Sequence, residues 1–197
     1  MSLLNQLTEQ LSGPAMAALS QQLGTDQGTT SKAVEAALPM IIGAMANNAS
    51  NDSGAQSLAN ALDKDHTGGD LMNNLSGFLS STDNGAGPAI LGHVFGGKQP
   101  VVEQGLSQVS GMDSSQTGQL LANLAPVVMG FLGQQKQSQG MDAAGLAGML
   151  MGARTEASSG NNATAQMAMG MLSQFLDADN DGSIMDDVGG MLGKFFK

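Results

Sequence analysis

Apolar residues along this chain recur at helical spacing, and the recurrence breaks at glycine, proline and clusters of Ser, Thr, Asp and Asn. Ala15, Ala18, Leu19 and Leu23 follow Pro14 and stop at Gly24, which predicts a helix with proline in its first turn and a glycine end. Thr29–Ser31 can cap the next helix, where Val34, Ala37, Leu38, Ile41, Ile42 and Met45 share helical spacing. Gln56–Leu62 and Leu71–Leu79 predict two short helices, separated by the polar stretch Asp63–Asp70. Asn84–Pro88 reads as a turn. Ile90, Leu91, Val94 and Phe95 then make an apolar face that Gly96-Gly97 ends, and Pro100 opens a helix through Val109. Ala153–Asn162 reads as a polar connection, and Ala163–Leu176 and Ile184–Phe196 as the last two helices. No segment alternates cleanly as a strand would, so the expected class is all-α.

Two of these helical patterns carry an internal proline, and they are related. Residues 19–45 align without a gap to 106–132 at an offset of 87, pairing Gly24 with Gly111, Asp26 with Asp113, Thr30 with Thr117 and Pro39 with Pro126. Matched Gly, Asp, Thr and Pro at one offset are hard to produce from an Ala-rich composition. With one inserted residue the match reaches Leu58–Leu62 against Leu146–Leu150. The expected architecture is an internally duplicated helical bundle: a first unit 1–97, a related unit 98–162, and a helix–loop–helix at 163–197, packed as one globular domain. An internal proline removes an amide donor and crowds the preceding turn, so Pro39 and Pro126 predict kinks or breaks between shorter helices. A bent helix offering free carbonyls to a ligand is the alternative.

Composition changes the kind of core to expect. Fifteen Met and six Phe without Trp or Tyr imply flexible thioethers rather than rigid aromatics, and 28 Gly weaken helices or bring backbones close. The faces Met141–Met151 and Met167–Met171 fit a core, with a protein partner or self-association as the competing use. Seventeen acids against seven Lys and Arg give a net charge of −10, which opposes nucleic acid and anionic membrane surfaces. The tracts Ala36–Ala46 and Leu120–Gly133 are too short for a span of about 20 residues. The absence of cysteine removes disulfides, thiolate nucleophiles and cysteine-held metals. The opening residues lack a secretory pattern, and a soluble cytoplasmic protein is the expectation.

The acids concentrate at one place. Asp177, Asp179 and Asp181 fall at positions 1, 3 and 5 of an EF-hand-like calcium loop, with Gly182 at the turn position 6 and the Ser183 carbonyl at 7. The far end departs from the pattern, because Val188 stands where a bidentate Glu closes a standard loop. Asp187 at position 11 is the expected closing ligand, with Asp186 at 10 the competing choice. Such a site predicts calcium affinity of roughly 10⁻⁵–10⁻³ M. The alternative is a metal-free turn in which an acid caps the last helix. Asp63–Asp70 is acidic but misses the ligand spacing, and reads as a solvated loop.

Catalytic chemistry finds little support. His66 lies in that polar stretch, and His93, within Ile90–Gly96, reads as a hydrogen-bonded packing residue. Gly85-Ala-Gly87 follows no strand, and no nucleophile elbow or zinc spacing is present. An enzyme is therefore the disfavoured reading, without being excluded. The segment Gly87-Pro-Ala-Ile-Leu-Gly-His-Val-Phe-Gly96, Pro100 with the Val101–Gly111 helix, Pro126–Gly130 and the acidic run Leu176–Asp187 together resemble a bacterial domain-of-unknown-function family, number 937. The resemblance implies a soluble helical bacterial protein over nearly the whole chain and lends no catalytic residue. The expectation is a calcium-stabilised binding or scaffold module, against a metal-independent structural or self-associating protein.

Overall fold

A computed structural model describes residues 2–65, 69–80, 86–159 and 163–176. Among them the regular structure is all helical. In chain order the helices are α1 (Leu3–Gln10), α2 (Pro14–Leu23), α3 (Gln27–Asn48), α4 (Asp52–Asp65), α5 (Gly69–Asn73), α6 (Leu75–Ser80), α7 (Gly87–Phe95), α8 (Gln99–Ser110), α9 (Ser114–Gln139), α10 (Ala143–Ser159) and α11 (Ala163–Leu176), with a short 3-10 turn at Gly96–Lys98.

The two proline-bearing segments are the longest helices and the most buried. Fourteen residues of α3 and fifteen of α9 are buried, including unbroken runs from Ala36 to Ala46 and from Leu120 to Gly133. A helix apolar on every side is stable only when neighbours cover all of it. Helices α10 and α11 pack on α3, whereas α4, α5 and α7 pack on α9, and α8 touches both. Each central helix is thus covered by helices that follow the other one. The result is a single buried cluster running from Leu7 to Met169. Phe95 and Phe131 are its only buried aromatics among the described residues, so aliphatic and thioether packing carries the core.

Local chemistry explains where the helices start and stop. Gly24 and Gly111 end α2 and α8 with φ of 65° and 77°, a left-handed conformation that a side chain would strain. Asp26 caps α3, accepting the Thr29 amide at 3.0 Å and the Thr29 hydroxyl at 2.7 Å. Asp113 caps α9, accepting the Gln116 amide at 2.8 Å while the Gln116 side chain accepts the Asp113 amide at 3.1 Å. The buried Thr30 and Thr117 hydroxyls donate to the carbonyls of Asp26 and Asp113 at 2.9 and 3.1 Å.

Several expectations change. Asp26, not Thr29–Ser31, caps α3. Neither Pro39 nor Pro126 breaks its helix, because the surrounding layer buries both and outweighs the missing hydrogen bond. Ala153–Ser159 continues α10, since Ala153 and Ala157 extend the buried stripe begun by Leu146 and Leu150. Gly87 and Pro88 open α7 rather than close a turn, and Asp63–Asp65 completes α4. On the methionine faces, Met169 is buried, Met149 is half-buried, and Met151 and Met167 are exposed.

Candidate functional site

A large concavity among the described residues lies where the end of α3, the body of α4, helix α7 and the middle of α9 diverge. It encloses about 740 Å³, within the range of small-molecule sites. Its floor is Met45 of α3 and Met129 of α9, both buried. Leu58 and Ala61 form one wall on α4, and Ala89, Ile90 and Val94 form the other on α7. Ser57, His93 and Asn48 supply its polar groups.

Asn48 holds this arrangement together. It lies in the last turn of α3, and its amide donates to the carbonyls of His93 and Val94, both at 3.1 Å. Those carbonyls belong to the final turn of α7, which lacks intrahelical donors. Gly54 brings the first turn of α4 against the Asn48 carbonyl: a Cβ there would lie 2.9 Å from its carbon. One residue therefore anchors both walls. At the far end of α4, Lys136 of α9 pairs with Asp63 at 2.5 Å, an exposed contact of small energetic weight.

His93 differs from its expected packing role. It is an exposed residue of the groove lining, and its carbonyl accepts from Asn48. Sequence reasoning passed over Asn48 because nothing local distinguishes it from Asn47. No group of three His, Asp or Glu side chains stands together among the described residues. The predicted calcium ligands Asp177, Asp179, Asp181, Ser183 and Asp187, with Asp186 and His66, all lie outside the described residues. The described part of α11 reaches Leu176.

A second feature escaped the sequence as well. Pro126 has no N–H for the Ala122 carbonyl one turn earlier, and Gly87, the first residue of α7, packs directly on that group. A Cβ on Gly87 would lie 2.8 Å from the Ala122 carbonyl carbon and overlap its oxygen. Asn123 beside it is fully buried, and neither atom of its amide finds a hydrogen-bond partner among the described residues. Its only sequence signal is a polar residue inside the apolar run Leu120–Gly133.

A family model described as "Bacterial protein of unknown function (DUF937)" matches residues 5–135. The chain belongs to the DUF937 family. In this DUF937 protein the matched span takes in both proline helices up to Gln135 and the whole α4–α7 groove. Helices α10 and α11 and the acidic segment through Asp187 lie beyond it. No curated protein and no solved structure matches the chain. No helix among the described residues is long and apolar enough to cross a membrane.

Proposed function

We propose that this DUF937 protein is a non-catalytic helical binding module, built from two related units and stabilised by calcium at its C-terminal end. The observation that carries the binding reading is the α4–α7 groove: a concave, mainly apolar site with a few polar groups at its lip. The reading of two related units draws support from contacts that recur at the 87-residue offset. Asn48 and Gln135 are one such pair, and His93 and Gln6 another. Asn48 donates to the His93 carbonyl, and Gln135 donates to the Gln6 side chain at 3.1 Å. The cap pairs Asp26/Asp113 and hydroxyl pairs Thr30/Thr117 follow the same offset.

The calcium reading rests on the spacing of Asp177, Asp179, Asp181, the Ser183 carbonyl and Asp187. Five nearby carboxylates repel one another without a cation, so binding would couple to local ordering. Titration calorimetry on chelator-treated protein tests it. A binding heat below millimolar calcium, sharply weakened in Asp179→Ala, is expected. No heat would leave the acidic turn as a helix cap. The exposed Met151 and Met167 favour a second reading, self-association through the α10–α11 face. Light scattering that gives a monomer mass at every concentration would remove it.

A further inference from the structure

We propose that the α4–α7 groove takes a straight-chain aliphatic carboxylate, with its alkyl chain between Leu58 and Ile90 and its head group at His93 and Ser57. The inference rests on the binding reading above and names the ligand class. Gly54 to Ala61 along α4, and Ala86 to Val94 along α7, give walls about 10–12 Å long at the helical rise of 1.5 Å per residue. That shape suits an extended chain rather than a fused-ring body. Met45 and Met129 form the floor with unbranched, polarisable side chains that adapt to a flexible chain.

The polar end selects the head group. In a chain of net charge −10, no carboxylate among the described residues lines the groove, so a cationic head finds no counter-charge from them there. The lip instead presents donors. His93 keeps at least one ring N–H in either protonation state, and the Ser57 hydroxyl projects from the second turn of α4. Two side-chain donors beside an apolar trough match an alkyl carboxylate.

Displacement of anilinonaphthalene sulfonate fluorescence by decanoate, octanoate and decan-1-ol tests the assignment on the full chain. Decanoate should displace the dye, and octanoate should be weaker by about tenfold, as loss of two methylenes implies. His93→Ala should weaken decanoate by about tenfold and decan-1-ol by clearly less, since the bond to a charged acceptor is the stronger one. Ile90→Glu should abolish binding of both. If the dye binds the wild type but not Ile90→Glu, and decanoate fails to displace it, the ligand class is overturned while the groove stands as a binding site for something else, such as a protein helix. Equal displacement by decan-1-ol and decanoate, or a decanoate affinity unchanged in His93→Ala, also overturns the carboxylate assignment. If dye binding is absent, or unchanged in Ile90→Glu, the binding reading of the groove falls as well. Because His93 is exposed, its variant tests the head-group contact without disturbing the core.

Discussion

Helices α3 and α9 solve the same problem in two ways. Each is buried on all sides and runs unbroken through an internal proline, so each has one carbonyl that its own helix cannot bond: Glu35 in α3 and Ala122 in α9. In α9 the N-terminus of α7 closes the place, with Gly87 pressed on the Ala122 carbonyl. In α3 the matching place stays open. There Glu35 and Pro39 line a pocket of about 270 Å³ together with Ser2, Asn5 and Thr8 of the α1 region and Glu156 of α10. The polar residue moves too: Asn123 follows Ala122 in α9, whereas Ala36 follows Glu35 in α3. A proline inside a buried helix thus leaves a defect that a neighbour can cover with a glycine or leave beside a polar cleft. The choice depends on the neighbour, not on the proline.

The largest expected break in this comparison is Gly87→Ala. Backbone atoms of Ala122 occupy the space of the new Cβ, so α7 must move away from α9. Thermal or urea unfolding should show a loss of about 1–3 kcal/mol, in line with overpacking a filled interior. Gly92→Ala, on the same helix but with nothing within 4 Å of its Cβ position, should instead gain about 0.5–1 kcal/mol from helix propensity. If the two variants behave alike, close approach is not why Gly87 is glycine.

Asn123 sharpens the comparison in the other direction. Its buried amide has no partner among the described residues, and Ala36 shows that the matching position accepts an apolar side chain. Asn123→Leu should therefore raise stability by about 1–2 kcal/mol, because the desolvation penalty disappears while the branched shape of the side chain is kept. A clear loss in urea unfolding would mean that the amide has polar company after all.

The smallest effects concern the caps. Asp113→Ala should cost about 1 kcal/mol, and Asp26→Ala should also lower stability. The α9 cap is reciprocal, and the Gln116 side-chain amide also donates to the Leu23 carbonyl at 3.1 Å, joining α9 to the end of α2. Asp26 carries an acid-side signature. The Thr29 hydroxyl and then the Thr29 amide hold its carboxyl below the ordinary 3.8. A folded pKa below the unfolded one means that the charged cap stabilises fully above about pH 3.8. That contribution is lost as pH falls through the lower, folded value. The stability gap between wild type and Asp26→Asn should accordingly narrow on acidification. A gap constant across that range would detach the cap's contribution from its charge.

What the chain determined by itself is the part governed by contacts within a turn or two. Apolar residues three and four apart, Pro14 and Pro100 near helix starts, and the glycines after α2 and α8 located most helices and the all-α class, because each signal acts through neighbouring backbone groups. The 87-residue offset was legible for the same reason, since Gly24/Gly111 and Asp26/Asp113 mark equivalent turns. The tertiary structure decided whether a proline interrupts. A missing bond costs about 3 kcal/mol in an exposed helix, and only burial by α10 and α11 on one side, and by α4, α5 and α7 on the other, keeps α3 and α9 continuous. It also decided the groove. The stretch with Asn48, Gly54 and Leu58 lies far in the chain from Ile90 and His93, and no local pattern links the two. They meet because Asn48 ends α3 where the last carbonyls of α7 need donors.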